Sequence, residues 1–550
     1  MTVSPQTREA ALASIAYAAL TFLMTLPFSL SAGSHVNADI PDTHLYIWTL
    51  AWDTYALIHQ PLQIFDANIY YPFANTLAYS ENLIGSVMFA APVIWLTGNL
   101  VLATNLTAFI TCMLSGTGAF VLARRLHLTL GAAFLCGLLF AFAPPRFYRL
   151  GQLHLTAVQW IPFSLAFLHS YFEAGRRRDL LIATGFFSLQ VLSSGHGAAY
   201  LVISIALLLA WQFGTGAPLA LKQRLKDFGA AGAYLIAPAV WIILPYRIAQ
   251  DEAGLRRGYL SGSQPGIESL LASPARVHQF LQAKFLGPFE KEPEAFLFPG
   301  ILVLLLAGVA LTAWPSRSRL RSSPLPFYLL LAILSTLMFV DWPFELWRYV
   351  YWLPGFNFIR VPSRFMILTM LALSVLAAIG FDRLAAWLKP AQRTIAAAVV
   401  AMLMLAENTV YPFPSVPYQV NIPAIDRWLD SQPKPFVVAE VPVPRTADLG
   451  ALERQQTQAM LHATAHWQKT IHGYSGIRRK FHDELYDALS SFPDRDSMAG
   501  LRAAGVTYVV VHSAEYGSRW PSVEENIKAT PGLRLTRTDG PDRVYTLVPE

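Results

Sequence analysis

The stretch Asn37-Ala-Asp39-Ile-Pro-Asp42-Thr-His44 follows closely on an apolar run, about Ala10 to Leu30, and opens a loop that extends to Asn82. Next comes Leu45-Tyr-Ile-Trp48-Thr-Leu-Ala-Trp52-Asp53-Thr-Tyr55-Ala-Leu57. The loop closes with Phe65-Asp66-Ala-Asn68-Ile-Tyr-Tyr-Pro72 and Asn75-Thr-Leu-Ala-Tyr79-Ser-Glu81-Asn82. Nowhere else do carboxylates, an imidazole and aromatic rings crowd so densely beside an apolar run. A run of about 20 apolar residues is what a bilayer-spanning helix needs, so the loop is read as lying against a membrane face. Trp48, Trp52 and Tyr55 recur at helical spacing, and interfacial rings are expected where a helix lies on a membrane. Trp48 is therefore also a candidate wall of any site the loop forms.

The whole chain supports a membrane setting. Of its 550 residues 54% are hydrophobic and 14% charged, with a mean hydropathy of +0.39; soluble domains carry about 25% charged residues. The net charge of +6 calls for no nucleic-acid partner, because the basic residues fall in short clusters between apolar runs. Cys112 and Cys136 both lie in apolar segments and read as small buried hydrophobes rather than a disulfide. Ser31-Ala-Gly-Ser-His35 could pass for a signal-peptidase site, but the many later apolar runs suffice for insertion, so the first run reads as an uncleaved helix.

The positive-inside rule orders the rest. With a cytoplasmic N-terminus and residues 83–96 kept from crossing, the basic clusters from Arg124-Arg125 to Arg393 fall almost entirely on one side. Residues 83–96 are short and interrupted by Pro92, so they read as an interfacial or re-entrant helix. The expectation is a multi-pass α-helical membrane domain of about eleven spans over residues 1–409, with outer loops at 34–99 and 245–294. Residues 410–550, after the Pro-rich Tyr411-Pro-Phe-Pro-Ser-Val-Pro417, become more charged. They read as a soluble extracytoplasmic α/β domain, with strands near 436–442, 506–512 and 544–548 and helices between them.

The spans' interiors are nearly free of charge, whereas ion-coupled transporters place ionisable groups near the midplane. The polar residues gather instead at the non-cytoplasmic helix ends. Asp39 is a candidate general base for an acceptor hydroxyl, or a ligand with Asp42 for a divalent cation. Asp42 reads more naturally as the N-cap of the amphipathic helix behind it. Ala143-Pro-Pro-Arg146-Phe-Tyr-Arg149 and Phe358-Ile-Arg360-Val-Pro-Ser-Arg364-Phe365 put guanidinium forks, which match phosphate geometry, at the outer face. The plain alternative for these arginines is headgroup contact or a salt bridge to Asp341 or Glu345. His154 and His196 are lone histidines near helix ends, where a hydrogen-bonded structural role is the commoner one. His462 and His466 sit four apart on an expected helix, but no third ligand is evident and metal binding is the minor reading. His472-Gly-Tyr474-Ser-Gly476 is either a turn or a loop that folds over the site.

Taken together the chain resembles the GT-C superfamily of polytopic glycosyltransferases, particularly the bacterial YfhO-like and related branches. The resemblance rests on the acidic first loop (Asp39, Pro41-Asp42, Asp66 to Pro72, Tyr79-Ser-Glu81), on Phe358 to Phe365 and on His472 to Gly476. It implies a sugar donor carried on polyprenyl phosphate and an acceptor that is an envelope glycan, a lipid or a protein. Transfer would be inverting, in a bacterial inner membrane. Asp39 would be the base, with Asp42 and Glu81 beside it and Mg2+ or Mn2+ as the cation Asp39 and Asp42 would hold. His44, Trp48, Arg146, Arg149, His154, His196, Arg360, Arg364 and Tyr474 would contact substrate, Arg360 or Arg364 clamping the phosphate. The rival readings are a flippase for lipid-linked glycans and a non-catalytic scaffold of envelope assembly.

Overall fold

The computed structural model describes residues 5–214, 221–254, 264–289, 291–292, 295–320, 322–340, 344–353, 356 and 359–548. Asp341, Phe358 and part of the second outer loop lie outside the described residues. Contacts divide the chain into two compact units. The first gathers Met1–Ala32, Asn105–Val240 and Arg256–Ser415; the second gathers Gly33–Thr104, Trp241–Leu255 and Val416–Glu550.

The first unit is helical. Its first helix runs Pro5–Met24 and is followed by a short 3-10 turn, Phe28–Ser31. Tyr17 anchors it, its hydroxyl donating to the Phe134 carbonyl at 2.8 Å and its ring stacked on Phe134. Three helices are long and apolar enough to cross a membrane: Leu100–Arg125, which begins in the second unit, Gly195–Gly214 and Pro362–Ala385. A bent pair, Gln223–Leu235 and Val240–Glu252, would make a fourth. Other apolar runs form helices too short for that test, among them Leu130–Ala141, Ile301–Ala313 and Pro324–Leu337. Eleven full-length spans are therefore not what the described residues present. Prolines and glycines cut the runs: Leu130–Ala141 ends just before Pro144-Pro145, and Gly300 and Pro324 mark two starts. At ~1.5 Å per residue such helices fall short of a ~30 Å hydrocarbon core. The helix Met366–Ala385 lies at the centre of this unit, with Leu130–Ala141, Ile301–Ala310 and Pro324–Leu337 packed on it.

The second unit joins the first polar loop to the C-terminal region. Strand β1 (His35–Val36) pairs antiparallel with β2 (Val416–Pro417). The main sheet contains β3 (Val437–Val441), β4 (Lys469–Thr470), β5 (Tyr508–His512), β6 (Leu533–Asp539) and β7 (Asp542–Leu547) in the order β4-β3-β5-β7-β6. The strands β4, β3 and β5 are parallel, while β7 runs antiparallel to both β5 and β6. Alternation of side chains sends Ala439, Val441, Val509 and Val511 into the larger core, and Val438, Val510 and Val544 into a smaller one closed by Ile425 and Leu429. The helices Ala424–Asp430, Leu449–His462, Lys480–Leu489 and Arg495–Ala503 lie close to the positions expected from sequence. The helix Trp520–Ala529 and strands β4 and β6 were not expected.

The helix Pro41–His59 corrects two expectations. Its N-cap is Ile40, with Pro41 at the first helical position, so Asp42 lies inside the first turn rather than capping it; there its charge still complements the helix dipole. Trp48 and Trp52 are core residues, each at most 2% exposed and stacked at 6.1 Å, and the Trp52 Nε1 donates to the Ile64 carbonyl. They form a buried seam, not an interfacial belt, and Trp48 walls no open surface. Helix Val87–Thr97 packs on this one; it is only 11 residues long, carries Pro92 and exposes Trp95 and Leu96.

Candidate functional site

In the second unit, Asp39 sits just ahead of the helix Pro41–His59. Its Oδ1 lies 2.9 Å from His44 Nε2, and its Oδ2 accepts from Nη1 of Arg454, on helix Leu449–His462, at 3.2 Å. The carboxylate remains about a third exposed while His44 is buried, its ring stacked on Tyr418 at 4.4 Å. Burial pushes the His44 imidazole below its ordinary range, against the pull of Asp39 and with that of Arg454. Asp42 Oδ1 accepts from the Tyr474 hydroxyl at 3.0 Å, so the Gly-rich loop expected as a turn or a cover does reach the acidic segment. Both Asp39 oxygens already face basic groups and Asp42 faces a phenol. That set suits an ion-paired acid better than a resident Mg2+ or Mn2+, which prefers oxygen ligands in near-octahedral array. Glu81 is half-buried, next to Asn82, whose backbone and side-chain amides both donate to the Tyr246 hydroxyl. A cavity of about 650 Å³ in this unit is lined by Tyr55, His59, Trp95, Asn99 and Trp467 among others, and by none of the candidate catalytic or substrate-contacting residues.

In the first unit the basic residues divide into a cluster and two outliers. Arg364, in the 3-10 turn Pro362–Phe365, places Nη1 2.9 Å from Nε2 of His196, at the start of Gly195–Gly214. The Arg364 Nε is buried without a hydrogen-bond partner. The His154 ring meets that of His196 at 5.6 Å, and the Ser194 hydroxyl fixes the His154 carbonyl at 2.7 Å. His154 is held well below its ordinary range by burial first, and then by Arg364, His196 and Arg149. Arg149 in turn feels Arg364. Arg146 departs from the phosphate-clamp expectation: it is 2% exposed, and its guanidinium donates to the carbonyls of Phe140, Ala141 and Thr156, which locks the Pro144-Pro145 turn. Arg360 is exposed and makes no hydrogen bond or ion pair among the described residues. Its expected alternative partner Glu345 accepts instead from Gln264 at 2.7 Å.

Sequence reasoning passed over two groups. Asp53, on the buried face of helix Pro41–His59, is 0% exposed; its Oδ2 accepts from the Leu83 amide at 3.0 Å and its Oδ1 has no partner. Glu440, His462 and His512 bring one ligand atom each within 4.8 Å of one another, as a set that could hold a metal ion. The spacing that drew notice, His462 with His466, was the wrong pair: His466 turns toward Asp426, at 3.9 Å, in the core. The missed signal was chemical. A glutamate and a histidine stand in strands otherwise made of Val and Ala, and a buried charge needs a partner.

No protein-family model matches the sequence, and no curated protein matches it. The fold is similar to solved structures. The arabinofuranosyltransferase AftD from Mycobacteria aligns with a TM-score of 0.59 at 16% identity, over 100% of this chain and 40% of that one. The Archaeoglobus fulgidus oligosaccharyltransferase in its apo form aligns with a TM-score of 0.52 at 14% identity, over 94% of this chain and 71% of that one. The archaeal oligosaccharyltransferase AglB, in complex with an inhibitory peptide and a dolichol-phosphate, aligns with a TM-score of 0.51 at 14% identity, over 98% and 74%. This chain thus spans about two-fifths of the length of the mycobacterial protein. At these identities the likeness is one of fold: the chain shares the fold of an arabinofuranosyltransferase and an oligosaccharyltransferase, as the resemblance to the GT-C superfamily leads one to expect, and nothing singles out the YfhO-like branch.

Proposed function

We propose that this protein is a membrane glycosyltransferase that moves a sugar from a polyprenyl-phosphate donor to an extracytoplasmic acceptor, an envelope glycan, lipid or protein, in a bacterial inner membrane. The observation that carries the reading is the cluster of Arg149, His154, His196 and Arg364, in which Arg364 Nη1 lies 2.9 Å from His196 while its Nε is buried without a hydrogen-bond partner, in a chain of GT-C fold. Two guanidinium groups drawn together repel unless an anion offsets them, and guanidinium forks suit phosphate oxygens. Arg364 and Arg149 hold the donor's phosphate, with Arg360 as an exposed outer contact.

The chemistry follows from the donor. An acceptor hydroxyl oxygen forms a bond to the anomeric carbon as the bond from that carbon to the phosphate oxygen breaks, with inversion. The electron pair leaves with the polyprenyl phosphate, whose charge the arginines stabilise. Asp39 takes the hydroxyl proton as general base, and His44 and Arg454 hold its carboxylate in a fixed orientation.

Mass spectrometry of envelope glycans and lipid-linked sugars tests the reading. The strains compared are a deletion, and the deletion carrying wild type, Asp39→Asn or Arg364→Ala at matched protein level. One sugar mass is expected to vanish in the deletion and return with wild type, while Asp39→Asn restores less than about a hundredth of the rate, the scale of a lost general base. Full restoration by Asp39→Asn removes Asp39 as base. A deletion with unchanged glycans removes the glycosyltransferase reading and returns the question to the flippase and scaffold alternatives.

A further inference from the structure

We propose that the C-terminal sheet carries a divalent transition-metal site of the zinc type, with Glu440, His462 and His512 as ligands, Asp426 as a buried carboxylate that adds negative charge beside them and Asp542 orienting His512. Strand periodicity builds it. Glu440 on β3, His512 at the end of β5 and Asp542 at the start of β7 project from the face that also carries Val438, Val510 and Val544. The register puts His512 opposite Asp542 and just beyond the pair Val441–Val511, so all three cluster at the carboxyl edge of the parallel strands. That edge is where open α/β sheets bind ligands. The helix Leu449–His462 delivers His462 to the same point by its last residue.

The contacts are those of a ligand set. Glu440 Oε2 lies 2.7 Å from His462 Nδ1 and 3.0 Å from His512 Nε2. On the far side of the His512 ring, Nδ1 donates to Asp542 Oδ1 at 2.9 Å. A carboxylate on the second nitrogen fixes the tautomer that leaves the first nitrogen's lone pair for a metal, and this outer contact recurs at metal-bound histidines. The independent observation is Asp426. Its carboxyl is 0% exposed, neither oxygen accepts a hydrogen bond, and its nearest basic group is His466 Nε2 at 3.9 Å. Glu440, His462, His512 and Asp542 are the main charges that act on it. An orphaned carboxyl in an apolar core is costly; a dication among two imidazoles and two carboxylates removes that cost. Two imidazole nitrogens and one carboxylate oxygen, with a fourth position left to solvent, suit Zn2+, with ligand distances of about 2.0–2.2 Å, better than hard cations that prefer oxygen alone. Metal binding displaces any proton on the ligating nitrogens, and His462, 17% exposed, is the least covered of the three ligands.

The test uses the full-length, tag-free protein in detergent, stripped with chelator and titrated with Zn2+ against a chromophoric competitor, with bound metal counted by elemental mass spectrometry. One Zn2+ per chain is expected, with affinity lowered 100-fold or more by His512→Ala or Glu440→Gln, and about 10- to 100-fold by Asp542→Asn. Asp39→Asn should leave Zn2+ binding unchanged, which separates this site from the glycosyltransfer reading. Co2+ loading of the wild type supplies a readout that needs no variant: visible d–d absorption of four-coordinate strength is expected and should disappear on adding Zn2+. A wild type that retains no Zn2+ and gives no such Co2+ spectrum overturns the site, leaving a hydrogen-bonded ion network. Stoichiometric binding that survives His512→Ala unchanged overturns it equally.

Discussion

Asp53 shows how a single side chain sets a pH dependence. Buried completely on helix Pro41–His59, it receives one hydrogen bond, from the Leu83 amide, and burial lifts its carboxyl from 3.8 to about 8 against that bond. A carboxyl whose pKa is higher folded than unfolded holds a proton that the unfolded chain has released, so this group costs stability as pH rises from about 4 to about 8. Asp53→Asn copies the protonated form, keeps an acceptor for Leu83 and removes the penalty. It is expected to raise the unfolding temperature in detergent at pH 8 and to leave it nearly unchanged at pH 4. An equal effect at both pH values would show that Asp53 is ionised in the fold. Individual roles of this kind were only partly legible. Asp39 and Asp42 stood out because polar residues beside an apolar run are conspicuous. Asp53, one residue past Trp52 on an amphipathic stretch, carries no sequence mark that the opposite helical face is buried too. Arg146 and Arg364 carry the same side chain at comparable helix ends, and only their surroundings separate a turn lock with three carbonyl acceptors from a member of the basic cluster.

At the level of elements, helix packing in the first unit depends on glycine where two backbones touch. Gly380, on Met366–Ala385, approaches Ile301–Ala310 so closely that an added Cβ would fall 1.9 Å from the Leu306 carbonyl oxygen and 3.1 Å from the Ala310 nitrogen. Backbone cannot give way as a flexible side chain can, so Gly380→Ala must part the helices. The expected cost is about 3 kcal/mol, read as a lowered unfolding temperature in detergent. Gly308→Ala on the partner helix is the control, because nothing lies within 4 Å of its added Cβ, and it should be nearly neutral. Equal effects would mean that helix propensity rather than close approach decides. Strand identities were legible where a short apolar run was nearly unbroken: Phe436 to Val441 and Val506 to His512 are such runs, as strands buried on both faces are. Strand β4 was not legible, since its two residues, Lys469 and Thr470, are too few to show a period, and neither was the close approach at Gly380, because one glycine in an apolar helix carries no sequence mark of its partner.

For the whole molecule, the sequence divides most naturally at the Pro-rich 411–417, yet the second unit draws on both sides of that point. Its connections join residues about 400 apart. The Tyr70 amide donates to the His472 carbonyl at 2.9 Å, the Tyr71 amide to that of Thr470 at 3.0 Å, and the Thr470 amide to that of Asn68 at 2.8 Å. Lys469 pairs with Asp66 at 2.9 Å, Arg454 with Asp39 at 3.2 Å, and the Arg479 Nε donates to the Tyr79 hydroxyl at 2.6 Å. No local period records such pairings, which is why loop and tail read as separate parts. The helix Pro41–His59 buries Trp48 and Trp52 in a unit to which the tail contributes Trp467, 6.0 Å from the Trp52 ring, and Tyr418, stacked on His44. Without the tail that face loses its cover, and burying large aromatic rings is among the strongest single contributions to a core. A chain ended after Ser415 is therefore expected to insert in membranes but to leave residues 33–104 open. Limited proteolysis of membrane vesicles, with fragments identified by mass spectrometry, should find cuts between Asp39 and Asn82 in the shortened chain at protease levels where the full chain stays intact. Protection of that stretch in both would mean that the first loop folds without the tail. The sugar-transfer assay could then be interpreted on residues 1–415 alone.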